Sequence, residues 1–337
     1  MMMKKNEILR IIRNFVPYGI MEKRKKREIQ KKLEYLSKSD SPKIFNAKGD
    51  MYKYFFLKDD ALGWQFYSYT RFQYPKQIFW DRTNPSLKKH FYGHNAIGKT
   101  LGKPDEKFAI LVETEGICPD VYHKLLVNAD LAKEYSLIFT HSEKILDKYP
   151  NARFIPAGGV WYGTTFFGGT VNPFLYKEKT KNISLVSSNK IMNHLHQVRY
   201  NLAMKLKESS LVDTFGTFDG GKYVRISETL EKYRYSIIIE NTITKFCFTE
   251  KILNCFKSMT IPIYIGAQNI GEFFNKSGII VVSEKDLINS FEDIISMCTE
   301  EYYQQHLGAV VDNFHRVKKY TCQEDYIIDQ YMTELNL

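Results

Sequence analysis

No stretch of the chain holds the ~18 consecutive apolar residues of a membrane helix, and the first residues lack a signal-peptide hydrophobic core. A place in the cytoplasm is therefore expected. Cysteine is scarce: Cys118, Cys247, Cys255, Cys298 and Cys322 are odd in number, and no pair has the CxxC spacing of zinc or redox sites. They read as reduced thiols, mostly core. No GxGxxG or P-loop pattern follows an apolar run, so the common glycine-loop nucleotide cradles are excluded. Basic residues are thin outside the start of the chain. Met1–Glu34 holds eleven Lys and Arg against four Glu, which is +7 of the total formal charge of +10. The nearly neutral remainder argues against nucleic acid as a partner, because such a binder carries a basic face on its folded body.

What is present is a globular composition, 44% hydrophobic and 26% charged, over 337 residues. At ~150 residues per domain that length suggests two domains. Residues 1–40 form a basic arm in which Ile, Leu, Phe and Met alternate with Lys and Arg, broken by Pro17-Tyr18-Gly19 into two short helices. Such an arm suits either an anionic membrane surface, peripheral on the inner face of the plasma membrane, or a solvated helix packed on the body. Over residues 41–165, short apolar runs such as "YKYFFL", "FAILVETEG" and "YSLIFTHSEKIL" alternate with helical patterns, which predicts a parallel sheet with helices on both faces. The Gly-rich "GGVWYGTTFFGGTVNPF" breaks the pattern and reads as the connection to a second α/β half, residues 175–337.

The stretch "SIIIENTITKFCFTEKILNCFKSMTIPIYIG", Ser236–Gly266, carries the most chemistry. Its β-branched run is that of a strand buried on both faces, and Glu240 and Asn241 fall at its carboxyl end, where ligands of parallel sheets bind. Thr249 is a good N-cap for a helix with Ile252, Leu253, Phe256 and Met259 on its packed stripe. Lys251 in the first turn is unfavourable at the positive end of the helix dipole unless an anion such as a diphosphate neutralises both. The carboxylate of Glu250 can accept hydrogen bonds from two vicinal hydroxyls, such as those of a ribose. Ordinary capping by Glu250, a solvated Lys251 and an ion-paired Glu240 account for the same residues on spacing alone.

Glu240-Asn241-Thr242, then Thr249-Glu250-Lys251 and "IPIYIG", resemble the donor-binding signature of the α-1,3-fucosyltransferases, glycosyltransferase family 10. "SLVSSN" with Ser188 and Asn189, then Arg199 on the next helix and "VDTFG", is similar to that family's strand, phosphate-contacting Arg and next strand. The likeness covers Ile183 to about Val282 well and the rest poorly. It implies a GT-B fold: two facing Rossmann-like domains with parallel sheets, the acceptor held by the first and a GDP-sugar by the second. It also implies an inverting transfer of a sugar, fucose by the family pattern, and the expected acceptor is a hydroxyl of a glycan, or of a lipid-linked or lipopolysaccharide-type acceptor if the basic arm touches membrane. By the same resemblance, Arg199 and Lys251 neutralise the diphosphate, Glu250 holds the ribose, and Glu240 with Asn241 lines the donor sugar and diphosphate. Phe246-Cys247-Phe248 departs from the Gly-Tyr-Val that many members carry before Thr-Glu-Lys.

Fixed cations and a helix N-terminus can stabilise the charge that develops on a departing diphosphate. With no Asp-x-Asp pair in the chain, neither metal nor other cofactor is expected. The acceptor hydroxyl still needs a base. In "LVETEGICPDVY", Glu113 and Glu115 lie two apart, on one side of the chain if the strand continues. The family places its base shortly before a Pro, which favours Glu115 with Glu113 as the alternative; a surface acidic pair accounts for both as well. His90 and His94 have the i, i+4 spacing of metal ligands, but Gly93 and the lack of a third ligand favour a loop or core role. Two rival readings stand beside the main one: a GT-B transferase using another nucleotide sugar, and a non-catalytic carbohydrate-binding protein.

Overall fold

The computed structural model describes residues 53–59, 75–82, 84–164 and 166–337; the basic arm and its membrane reading lie outside them. The first sheet is built from β1 (Lys53–Asp59), β2 (Ile78–Asp81), β3 (Lys89–Gly93), β4 (Glu106–Ile110), β5 (Leu137–Thr140) and β6 (Ala152–Phe154). All its pairs are parallel, in the order β2-β1-β3-β4-β5-β6. Helices α1 (Pro119–Val127) and α2 (Ala129–Lys133) join β4 to β5, and α3 (Glu143–Lys148) joins β5 to β6. The strands are apolar in long runs because both faces are covered. Phe55, Trp80, Phe91, Phe108 and Phe139 fill one face, and Tyr92, Ala109 and Ile138 pack under α1 and α3 on the other.

The second sheet comprises β7 (Lys181–Ser187), β8 (Val212–Gly216), β9 (Tyr233–Ile239), β10 (Ile261–Ile265) and β11 (Ile280–Val281), parallel throughout, in the order β11-β10-β9-β7-β8. Its helices are α4 (His194–Leu206), α5 (Ile226–Leu230), α6 (Glu250–Lys257) and α7 (Ile270–Phe273), followed by α8 (Glu284–Asn289), α9 (Phe291–Met297), α10 (Glu300–Gln305) and α11 (Leu307–Arg316). In both sheets the chain reverses its direction of travel beside the first strand. Those reversals fall between β1 and β3 and between β7 and β9, and crevices of this kind beyond the carboxyl ends of strands are where open α/β sheets bind ligands. Two parallel α/β sheets are what the sequence patterning predicts.

The last helix, α12 (Gln323–Tyr331), returns to the first sheet. The Trp80 indole N–H donates to Glu324 at 3.3 Å, the Lys76 and Gln77 backbone N–H groups donate to Asp325, and the Tyr331 hydroxyl donates to the Phe154 carbonyl. Glu324 is fully buried, and burial pushes its carboxyl up to about 8. A carboxyl whose folded pKa is raised binds more protons folded than unfolded between its ordinary value and that figure, so stability falls as pH rises through that window. Glu324→Gln is therefore expected to raise the thermal midpoint at pH 8 and to leave it nearly unchanged at pH 5, read by melting curves at the two pH values.

All five cysteines are free thiols, four of them buried. The departure at Phe246–Phe248 is a packing feature: Phe248 is fully buried against Phe273, Phe274 and Tyr320.

Candidate active site

A cavity of about 460 Å³ opens at the reversal of the second sheet, bounded by the carboxyl end of β9, α4 and the start of α6. Ser188, Arg199, Glu250 and Lys251 line it, as the sequence pattern anticipates, together with Lys190, Tyr223, Asn254 and Trp161. Trp161 belongs to the Gly-rich connection, which thus serves as a wall. Asn254 holds it there by accepting hydrogen bonds from the backbone N–H groups of Trp161 and Tyr162 at 2.8 and 2.9 Å. Gly158 must be glycine for the same reason: a Cβ there would stand 2.7 Å from the Glu250 nitrogen.

Four of the anticipated residues are not on the cavity wall. Glu240 is fully buried behind it, accepting from the Thr249 N–H at 2.9 Å, the Thr249 hydroxyl at 2.7 Å and the Lys251 ammonium at 3.3 Å. Thr249 caps α6 by accepting from the Lys251 N–H. Asn241 accepts a hydrogen bond from His196 Nε2 at 2.8 Å, since His196 Nδ1 is occupied by the Met192 N–H. Asn189 is exposed and outside the lining. Glu240, Asn241 and Thr249 therefore brace the helix start and the loop from below, where the sequence reading had Glu240 and Asn241 on the donor sugar and diphosphate.

Charge balance also differs from the sequence expectation. Lys251 does not wait for a ligand to relieve its misfit, because Glu240 and Glu250 lie on either side, each 3.3 Å from its nitrogen. Burial alone would lower the Lys251 pKa, but those two carboxylates raise it. Arg199 is the cation left wanting. Its guanidinium donates to the Ile239 carbonyl at 2.8 Å and makes no ion pair among the described residues. Burial pulls its pKa down, opposed only in part by Glu240 and Glu250. A desolvated guanidinium facing a cavity without a paired carboxylate is an uncompensated cost that a bound anion removes.

The first sheet supplies the opposing carboxylate. β4 ends at Ile110, and residues 114–118 form a turn in which the Ile117 and Cys118 N–H groups donate to the Thr114 carbonyl. The assumed strand continuation fails there, so Glu113 and Glu115 do not share a side. Glu115 ion-pairs with Lys144 at 2.9 Å on the surface. Glu113 is half-buried and near enough to Glu250, Lys251, His94 and Asp59 for their charges to act on it. Burial drives its carboxyl above the usual range, Glu250 and Asp59 add to the rise, and His94 and Lys251 oppose it.

His94 sits at the reversal of the first sheet with φ 45°, a left-handed conformation uncommon for a side chain of this size. Its ring is buried, Nδ1 lies 3.5 Å from the Asp59 carboxylate, and Nε2 accepts the Glu113 backbone N–H at 3.2 Å. Strain of this kind is typical of positions that orient reacting groups. The i, i+4 spacing with His90 carried no metal meaning: His90 bonds to Tyr92 and the Leu87 carbonyl within the core.

Part of the sequence matches a known family, and the fold matches solved structures. Residues 176–308 match the family model described as glycosyltransferase family 10 (fucosyltransferase) C-term. A stretch of 86 residues is 30% identical to alpha-(1,3)-fucosyltransferase FucT of Helicobacter pylori, covering 26% of this chain and 17% of that relative. The fold is similar to a crystal structure of α1,3-fucosyltransferase with GDP, with a TM-score of 0.52 at 14% identity, over 90% of this chain and 95% of that one. A second α1,3-fucosyltransferase crystal structure gives a TM-score of 0.50 at 14% identity, over 84% and 89% of the two chains. The chain thus has the fold of those GT-B transferases, and over residues 176–308 its sequence is similar to glycosyltransferase family 10 (fucosyltransferase).

Proposed function

We propose that the protein is an inverting glycosyltransferase that moves a sugar, fucose first among candidates, from a GDP-sugar to a hydroxyl of a glycan or lipid-linked acceptor. The observation that carries this reading is the half-buried Arg199, without an ion pair among the described residues, beside Lys251 and Glu250 in a cavity at the reversal of the second sheet. A diphosphate seated there pairs with Arg199 and takes a share of Lys251, while Glu250 receives the ribose hydroxyls.

In the transfer, the acceptor oxygen attacks the anomeric carbon as its proton passes to the Glu113 carboxylate. The bond from that carbon to the diphosphate oxygen breaks, its electron pair stays on the diphosphate, and the configuration inverts. Arg199 and Lys251 meet the charge that develops on the leaving group, so this scheme needs no metal. A raised pKa makes Glu113 a better proton acceptor once it is ionised.

His94 is a positioning residue in this scheme. It ties the Glu113 backbone to Asp59 and opposes the rise of the Glu113 pKa. His94→Gln is expected to lower kcat by roughly tenfold to a hundredfold, as misplacing a reacting group does. GDP affinity should not change, and the acid limb of the rate profile should move to higher pH. The reading itself is tested by incubating the protein with GDP-fucose and a mixed glycan pool. Transfer of fucose with inverted configuration supports it, and intact GDP-fucose after prolonged incubation refutes it.

A further inference from the structure

The loop between β7 and α4, residues 188–193, gives Ser188 and Lys190 to the wall of the cavity assigned above to the donor. Little in the loop itself holds it there. Asn189, Lys190, Ile191 and Met192 are exposed, so no buried apolar side chain packs it down. Among the described residues, 189–192 make two hydrogen bonds. The Lys190 N–H donates to the Ser188 hydroxyl at 3.4 Å, inside the loop, and the Met192 N–H donates to Nδ1 of His196 at 3.1 Å. Only the second reaches beyond the loop. The same ring, itself buried, donates from Nε2 to Asn241 Oδ1 at 2.8 Å, in the segment that follows β9. We propose that His196 is a positioning residue of the donor site: its two ring nitrogens pin the loop that carries Ser188 and Lys190 to the segment after β9, and donor affinity depends on that pin. The assignment rests on the transferase reading above.

The chemistry of the ring fixes which of its forms makes the pin. A backbone N–H only donates, so Nδ1 must offer Met192 a lone pair, and the ring proton then sits on Nε2, facing the Asn241 carbonyl oxygen. An imidazolium carries protons on both nitrogens. It would set one N–H against the Met192 N–H and break the pin. The surroundings disfavour that form. Burial lowers the His196 pKa, the Asn241 contact opposes this in part, and the charges acting on the ring are cations that lower it further: Arg199 from α4, Lys251 from α6 and Lys190 from the loop. The pin is therefore whole at neutral pH and is lost on acidification below the ordinary histidine range.

Placement supports the role. Lys190 is a third cation on the cavity wall beside Arg199 and Lys251. Ordering an exposed lysine on a diphosphate costs conformational entropy, and less of it when the backbone is fixed beforehand. His196 fixes that backbone two residues away, at Met192.

The test uses the full chain and GDP-fucose without acceptor, titrated calorimetrically at pH 7.5 and at pH 5, because the diphosphate of a nucleotide sugar does not titrate between them. His196→Gln puts its amide where Nε2 stands and keeps the Asn241 contact without the Met192 contact. His196→Asn puts its amide where Nδ1 stands, so it keeps the Met192 contact and has nothing to titrate. At pH 7.5 His196→Gln should weaken binding about fivefold to tenfold, the size of one lost hydrogen bond, and His196→Asn should recover most of that loss. On acidification wild type should lose affinity roughly twofold to tenfold further than His196→Asn does. Amide exchange over residues 189–192, read by mass spectrometry, should quicken in His196→Gln and stay slow in His196→Asn. Undiminished binding by His196→Gln, equal weakening in the two variants, or the same pH dependence in wild type and His196→Asn each overturns the assignment. Wild type that binds no GDP-fucose at either pH would instead overturn the donor reading, and this role with it, even where the exchange contrast holds, so the two failures are distinct.

Discussion

Glu113→Gln is expected to lower kcat by about 10²–10⁴-fold, the usual size of a lost general base, while leaving GDP affinity where it was. The amide is nearly isosteric, so the turn and the His94 contact to the Glu113 N–H survive, and only the proton acceptor is removed. Glu115→Gln serves as the control. Glu115 is held by Lys144 at the surface, and exposed ion pairs of this kind contribute little, so transfer should stay near wild type. The pH dependence carries the same signature. The base must be ionised to accept a proton, and burial raises the Glu113 pKa, so activity should fall on acidification at a pH above the ordinary carboxylate range. A rate profile taken with wild type should show that acid limb. Equal losses in the two Gln variants would remove Glu113 from its role.

Arg199→Met should have the second large effect. Loss of a charge-assisted hydrogen bond to the diphosphate, roughly 1.5–3 kcal/mol, weakens GDP binding about tenfold to a hundredfold. Because charge grows on the diphosphate during departure, kcat should fall further, by about 10²–10³-fold. Stability should move the other way or not at all. The guanidinium is desolvated and makes no ion pair among the described residues, and an apolar side chain of similar length removes that burden. A variant that binds GDP poorly yet melts at or above the wild-type temperature is the expected result, measured by calorimetry and thermal unfolding. A strongly lowered melting point would mean that Arg199 is chiefly a structural cation.

Much of the second half could be read in the sequence because its signals are local. The β-branched run of β9, the Thr249 cap and the amphipathic α6 each follow from neighbours within one or two turns, and together they fix where Glu250 and Lys251 must stand. Arg199 required a resemblance, since nothing in the α4 sequence says that its guanidinium reaches the end of β9. The errors came from long-range packing. Glu240 looked like a ligand contact because it ends a buried strand, but the tertiary fold turns it onto the Thr249 N–H and the Lys251 ammonium instead. Glu115 was favoured over Glu113 by its distance from Pro119, a count that does not show that the turn after Ile110 leaves Glu113, and not Glu115, within reach of the charges of Glu250 and Lys251. Trp161 and Asn254 were missed because they meet across 93 positions. His94 carried one local hint, its place directly after Gly93 at the end of an apolar run. Its bonds to Asp59 and the Glu113 N–H became visible only when the sheet order put the ends of β1 and β3 side by side.

The most direct test of the donor site is calorimetric titration of the purified protein with GDP, UDP, CMP and ADP in buffer containing a chelator. The account predicts saturable binding of GDP, tighter than that of the other three and weakened by Arg199→Met. Tighter binding of another nucleotide would contradict the GDP assignment, and no binding of any of them would contradict the donor site itself.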